Sequence, residues 1–399
     1  MSLAPKSVSS LPALVFTALA GTMAMMSSVA VVGPVVRVLG LAEWHAGLSV
    51  TAAGVFWMLL ARRWGALSDR IGRRRVLLIA LAAYALIYLL MALFVDLALR
   101  DPPRVIVSVI VLVATRAAIG AFYAAVPPTA AAVVADEVEP GTRASAMAKL
   151  GTANALGMVL GPAAAGWLAT RDIALALYAA AALPLLWWLV LWGRLPATAP
   201  KSSAGGGKRP TLALLDPRIR LPAFTAFASM VSVSIAQVTV GFFAIDRLGL
   251  TPAEGARVAG LALTSVGAGL ILAQSLVMRM KSVPARRWIV LGAWISAIGF
   301  SSVALAASQW LLLVAYAVAA FGMGFVFPAF QALTADSVQS HEQGAAAGTV
   351  ASMQGMGMMA GPLLGTLIYR WSPAAPYLAV GVILVGLAVA AMFTRGPRA

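Results

Sequence analysis

Gly65-Ala66-Leu67-Ser68-Asp69-Arg70-Ile71-Gly72-Arg73-Arg74-Arg75-Val76-Leu77 separates two long apolar runs. Four arginines and one aspartate crowd a segment too short to fold alone. Between two membrane spans, such a segment stays on the cytoplasmic side, because Arg is costly to move through hydrocarbon. Gly65 and Gly72 permit close helix approach and a sharp reversal. Asp69 can face the N-terminal dipole of a neighbouring helix, and the Arg run can hold acids on others. A tight charged turn is therefore expected over residues 65–77.

The surrounding chain fits that setting. Of 399 residues, 61% are hydrophobic and 11% charged, with a mean hydropathy of +0.92. A soluble domain has no use for so much apolar surface, so the class is an all-α polytopic membrane protein. The net charge of +16 forms no basic domain and gives no reason to expect a nucleic-acid partner; the cations lie in short segments between apolar runs. With zero Cys, disulfides and thiolate metal sites are excluded. The first apolar run imitates a secretory signal after Lys6, but it continues to Leu39, and it is read as a retained first span.

Counting apolar runs of about 20 residues, enough to cross ~30 Å of hydrocarbon, gives twelve transmembrane helices. They lie near 11–39, 45–64, 75–97, 104–135, 144–169, 172–193, 222–245, 255–279, 286–306, 309–335, 344–369 and 374–394. With both termini cytoplasmic, 21 Lys and Arg fall inside, seven outside, and Arg116 within a span, which orients the chain.

The pattern G-x-L-x-D-R-x-G-R-R-x-x-L of residues 65–77 resembles the signature loop between helices 2 and 3 of the major facilitator superfamily. The resemblance covers nearly the whole chain and is nearest to multidrug and tetracycline-type efflux carriers. It implies two six-helix pseudo-symmetric bundles with a substrate site between them at mid-membrane, working by alternating access. By the same resemblance, Gly65, Asp69, Arg70, Gly72, Arg73, Arg74, Asp136 and Asp336 are gating residues. Arg73 would pair with Asp136, and Asp69 would face the start of the eleventh span.

Internal evidence points to the same division. Residues 195–220, with Pro196, Pro200, Gly205 to Gly207 and Lys208, read as a flexible tether. They separate an N-terminal bundle, 1–194, from a C-terminal bundle, 221–399. At an offset of 200, 11 of the 37 positions from 126 to 162 are identical, among them Pro128/Pro328, Asp136/Asp336, Gly157/Gly357 and Gly161-Pro162/Gly361-Pro362.

Several spans carry unusual residues. Arg116, in Leu112-x-x-x-Arg116-x-x-Ile119-Gly120, is a cation within the fourth span. It either faces a cavity or partner, or snorkels to the outer interface. The spacing partly resembles the family's proton-coupling element, making Arg116 and Gly120 coupling candidates. Gly157-x-x-x-Gly161-Pro162 lets helices touch closely and bends the fifth span, a role shared by Gly361 and Pro362. It resembles an element of the superfamily's exporters. Polar groups within spans, Arg116, Tyr123, Asn154, Gln237, Gln274, Gln331 and Gln354, are substrate-binding candidates, some of them doubling as interhelical hydrogen bonds.

All 13 acids map to loops or helix ends, so no residue identifies a mid-membrane proton carrier; Asp96 and Asp246 come nearest. Proton antiport is thus implied by resemblance alone. The alternatives are a siderophore or organic-anion carrier with Arg116 as counter-charge, a facilitator, and a copper carrier using Met353, Met356 and Met359. Convergent His, Asp or Glu are absent from the spans, so an enzyme is not expected. Neither a cofactor nor a metal is expected. The expected partners are a small molecule, protons and the lipid bilayer. The expected protein is a monomer in a bacterial inner membrane.

Overall fold

A computed structural model describes residues 11–138, 140–195, 216–280, 282–339 and 342–394. The described residues are helical in thirteen segments. These are α1 (Leu11–Val38), α2 (Glu43–Ile71), α3 (Arg73–Arg100), α4 (Val105–Tyr123), α5 (Val126–Glu137), α6 (Pro140–Ala169) and α7 (Ile173–Arg194) in the first half. The second half holds α8 (Arg220–Leu248), α9 (Pro252–Arg279), α10 (Ala285–Val303), α11 (Gln309–Asp336), α12 (Gln343–Tyr369) and α13 (Ala375–Phe393).

Twelve spans follow, because α4 and α5 together make the fourth. Its continuity was expected, but the helix breaks at Ala124 and Ala125. Pro127 and Pro128 open α5 and remove two consecutive backbone donors, so the preceding carbonyls have no helical partners. In the second half Phe327 replaces the first of those prolines. With Pro328 alone, α11 runs unbroken for 28 residues.

Nine segments, counting α4 and α5 as one, are both long and apolar enough to cross a bilayer among the described residues. The remaining three are α6, α10 and α12. Their 30, 19 and 27 residues give adequate length, but Gly and polar or charged residues dilute their apolar character. That composition suits close packing, since helix association in lipid depends on shape and not on a hydrophobic drive. Large apolar side chains such as Ile271, Leu272, Leu305 and Val382 point outward, as a lipid-facing shell requires.

The chain divides into two compact units. One comprises Met1–Val31, Val38–Leu41 and Ala52–Gly206; the other comprises Val32–Arg37, Ala42–Thr51 and Gly207–Ala399. The end of α1 and the start of α2 therefore pack with the second unit. The interior of the proposed tether, 196–215, lies outside the described residues.

Each unit is assembled around its first helix, and the 200-residue repeat explains how. In the first unit, a Cβ on Gly157 would meet Leu19 O and Thr22 Cβ at 2.8 Å, and one on Gly161 would strike the Met23 backbone. In the second, a Cβ on Gly357 would meet Phe227 O at 2.6 Å, and one on Gly361 would meet Ser234 Cβ at 2.6 Å. The matched glycines thus seat α6 on α1 and α12 on α8 with backbone against backbone. Tyrosines hold the same central helices from another side: Tyr84 donates to Gly21 O at 3.2 Å, and Tyr316 to Ala236 O at 2.7 Å.

Candidate substrate and coupling site

The charged stretch is less of a loop than expected. α2 continues through Gly65 and Asp69 to Ile71, and the reversal is made at Gly72 alone, with φ at +96°. A side chain there would be strained. Gly65 makes no close approach, since nothing lies within 4 Å of a Cβ built on it. The helix persists because residues 65–71 contain no Pro and the i,i+3 bond from Ser68 Oγ to Gly65 O, 2.7 Å, stays local. Asp69 therefore sits in the last turn of α2, where a carboxylate is unfavourable beside the C-terminal dipole, and Arg73 compensates it.

Arg73 is the hub of this end of the unit. Its Nη2 lies 3.0 Å from Asp69 Oδ1, its Nε donates to Asp136 Oδ2 at 2.5 Å, and its Nη1 reaches Ser68 Oγ at 3.3 Å. One guanidinium thereby ties α2, α3 and α5 together. Arg74 donates to the Trp192 carbonyl at 2.7 Å and caps the last turn of α7. Arg70 is exposed on α2, and Asp336, the last residue of α11, is exposed in its own unit.

Arg116 is the exceptional residue of the membrane interior. It is only 3% exposed, so of the two sequence readings the snorkelling one fails. Its Nη1 donates to Ser28 Oγ at 2.7 Å, while its buried Nε has no hydrogen-bond partner. Around it, the Tyr84 and Tyr88 phenols supply neutral polarity, with Tyr88 donating to Ala24 O at 2.9 Å. Tyr123 shares a 2.8 Å hydrogen bond with Thr22 Oγ1, and Thr22 also reaches Asn154 Oδ1 at 2.8 Å. No carboxylate neutralises Arg116 among the described residues. Gly120, one turn on, lets α4 press against the Ala53 carbonyl of α2. A buried guanidinium without a counter-ion is several kcal/mol costly. It can be offset by an anionic or strongly polarised group arriving beside it.

A sequence profile described as Major Facilitator Superfamily matches residues 13–283 and 223–399. The chain belongs to the Major Facilitator Superfamily. Among curated relatives, the tetracycline resistance protein, class G, of Vibrio anguillarum is 30% identical over 344 residues, covering 83% of this chain and 82% of that protein. The class B tetracycline resistance protein of Escherichia coli is 25% identical over 347 residues, with coverage of 82% and 80%. Among solved structures, a bacterial homolog of the human lysosomal transporter Spinster superposes with a TM-score of 0.73 at 14% identity, over 95% of this chain and 93% of the other. The human organic anion transporter TETRAN superposes with a TM-score of 0.65 at 19% identity, over 97% and 100%. These last two likenesses establish the shared fold. The protein is an integral membrane transporter and not an enzyme.

Seen as a superfamily member, the chain sorts its candidate residues unevenly. Arg116, Tyr123 and Asn154 all reach hydroxyls of α1, the first at Ser28 and the other two at Thr22. Gln237, Gln274, Gln331 and Gln354 all belong to the second unit, and their side chains make no hydrogen bond among the described residues. Of these, Gln274 and Gln331 are exposed, and Gln237 and Gln354 half-buried. Pro162 and Pro362 lie inside α6 and α12, one residue beyond the close-contact glycines. Met23 serves as the backbone seat for Gly161, a packing role, and no cluster of His, Cys, Asp or Glu fit for a metal occurs among the described residues.

The sequence reading overlooked Ser28, Thr22, Tyr84 and Tyr88. Their signal was available: Tyr84 and Tyr88 are spaced i,i+4 on the third span, and Thr22 and Ser28 are hydroxyls within the first. Asp96 and Asp246, the nearest acids, are both engaged. Asp96 accepts from Arg100 and Tyr178 at 3.0 Å each, and Asp246 accepts from Arg37 and Tyr369.

Proposed function

We propose that the protein is a proton-coupled exporter of small polar molecules with tetracycline-like chemistry, working by alternating access in a bacterial inner membrane with both termini cytoplasmic. The observation that carries this reading is the uncompensated cation at Arg116, in a membrane interior otherwise lined by hydroxyls and an amide. A polyhydroxylated substrate with an ionised enol or carboxylate supplies the missing negative charge. The relatives named for tetracycline resistance support export as the direction. The orientation rests on the 21-to-7 bias of Lys and Arg.

In this reading, the two halves, 1–194 and 221–399, rock about a shared site. Asp69, Arg73, Asp136 and Asp336 bias the equilibrium between forms, which needs only a few kcal/mol. Substrate is held by Arg116, Tyr123 and Asn154 of the first half and by glutamines of the second. Gly157, Gly161, Pro162, Gly361 and Pro362 set the bend and the packing of the moving helices.

A second reading, favoured by the same lone guanidinium, is an organic-anion carrier. The test is drug retention in cells lacking their own efflux pumps, with membrane levels of each variant matched. Wild type lowers cell-associated tetracycline, Arg116→Lys retains part of that effect, and Arg116→Ala loses it. Export of a simple aromatic carboxylate with no effect on tetracycline selects the second reading. Wild-type export by Arg116→Ala removes the basis of both.

A further inference from the structure

Away from the arginine turn, four groups from four helices meet within the second unit. Arg37, in the last turn of α1, places Nη2 2.6 Å from Glu43 Oε1 at the start of α2 and 2.5 Å from Asp246 Oδ2 near the end of α8. Tyr369, which closes α12, donates its hydroxyl to the same Asp246 oxygen at 2.9 Å. The Arg37 guanidinium also lies 5.4 Å from the centre of the Phe242 ring, which packs on Tyr369 at 5.7 Å. The helices are close here. A Cβ on Gly33 would meet the Phe242 amide at 3.1 Å, and one on Gly47 would strike Thr366. Thr51 donates to the Met359 carbonyl at 2.8 Å.

The charges do not balance. One guanidinium serves two carboxylates, so the cluster carries one negative charge in excess and becomes neutral on taking up one proton. The side chains of Arg37, Glu43 and Asp246 are each mostly covered, where Coulomb terms are weakly screened. The two acids are not equivalent. Glu43 only adjoins Arg37, whereas Asp246 accepts from Arg37 and Tyr369 on one oxygen and so links α1, α8 and α12.

We propose that Asp246 accepts the proton of the transport cycle, and that its protonation releases the α1–α2 end from α8 and α12. The inference rests on the proton-coupled reading and supplies the carrier that the spans lack. In the step, a proton from the adjoining aqueous phase adds to a carboxylate oxygen of Asp246. The neutral acid no longer attracts Arg37, which remains paired with Glu43 as a closed, uncharged couple. The new O–H donates to the Tyr369 hydroxyl, which until then was the donor. Loss of the proton to water restores the link. The other titratable groups facing the cluster are Tyr377 of α13, behind Tyr369, and His45 of α2, which accepts from the Ala42 amide at 3.1 Å beside Glu43. Arg247 follows Asp246 on α8 and is exposed. On α9, Glu254 is held in the capping box of Thr251 and faces Arg257.

Because the chain has no Cys, Val38→Cys with Trp371→Cys introduces the only two thiols, both at exposed positions on α1 and just beyond α12. Spin labels there, in reconstituted protein, report a distance that lengthens in the parent as the medium is acidified. Asp246→Asn gives the lengthened distance throughout, Asp246→Glu restores the response, and Glu43→Gln keeps it. A parent distance unchanged by pH, or an Asp246→Asn variant that follows the parent, overturns the proposal. Flux of tetracycline in proteoliposomes gives a second arm. Asp246→Asn lowers pH-gradient-driven accumulation at least tenfold yet retains tetracycline-for-tetracycline exchange; unaltered gradient-driven accumulation overturns the proposal. If wild type moves no tetracycline, the function reading fails while the distance arm still decides the role of Asp246.

Discussion

Replacing Gly161 with Ala adds a single methyl group, and the structure sets its cost. The new Cβ would lie 3.0 Å from Met23 Cα and 3.1 Å from Met23 C, and closer still to the Met23 carbonyl oxygen. All three atoms are α1 backbone, so no side chain can swing aside. Restoring a carbon–carbon contact of ~3.5–4.0 Å means backing α1 away by about 0.5–1 Å, a gap that forfeits a quarter to a half of each neighbouring dispersion contact. Gly157, four residues earlier, loses its own fit against Leu19 and Thr22, and the 3.1 Å hydrogen bond from Ser27 Oγ to Gly161 O is stretched. Overpacking of this kind costs about 1–3 kcal/mol, and the hydrogen bond adds about 1 kcal/mol. The helix preference of Ala over Gly returns about 0.5–1 kcal/mol. Gly151 on the same helix is the control, because nothing lies within 4 Å of its Cβ position; there the substitution yields only the gain. The two variants are thus expected to differ by about 2–4 kcal/mol, at least a factor of ten in the folding equilibrium. Reversible unfolding in mixed micelles, followed by Trp fluorescence, measures it. A Gly161→Ala variant as stable as Gly151→Ala would refute the backbone-contact account of α1 and α6.

Three further outcomes follow from other parts of the molecule. Arg116→Met keeps the stem volume and removes an uncompensated buried charge. A central charge costs about 2.5–3.5 kcal/mol in a bilayer against a charge-assisted bond to Ser28 of about 1.5–3 kcal/mol, so the variant melts at or above the wild-type temperature while losing transport. Ahead of α8, Arg218 bonds Asp216 through its side chain, by Nε at 3.2 Å and Nη2 at 3.0 Å, and through its amide at 2.9 Å; Nη1 also reaches Glu342 at 2.8 Å. These bonds hold the Asp216 carboxyl below its ordinary range. With the folded value depressed, the stabilisation is complete above about pH 4 and fades as pH falls further; a melting profile of Arg218→Ala converges on wild type only in that acid range. Arg73→Lys preserves charge but presents a single head in place of a planar fork. Because Arg73 joins two acids with little of its side chain exposed, the loss is expected near 1 kcal/mol in thermal unfolding.

How far sequence alone could go is visible in particular residues. Gly157, Gly161 and their partners 200 positions on were legible because glycine at fixed spacing has one main use in a lipid-embedded helix, close approach. The Arg73–Asp136 pair follows from the family resemblance, and the structure contains it. Charge over residues 65–71 suggests a break in the helix, whereas only Gly72 breaks it. The interruption at Ala124 was passed over although Pro127 and Pro128 stood in plain view; hydropathy runs straight across them. In the sequence Arg37 stands out only as a topological charge, since its meeting with Asp246 joins residues 209 positions apart. The hydroxyl partner of Arg116 was hidden for the same reason: periodicity ranks faces of one helix and says nothing of which face of another it meets.

The central claim is that a proton gradient drives export through a site built on Arg116. Reconstituted protein, given tetracycline outside and an acidic interior, tests it directly by drug fluorescence. The account predicts accumulation that collapses when a protonophore abolishes the gradient and that is missing from Arg116→Ala. Accumulation indifferent to the gradient, or undiminished without the guanidinium, would contradict it.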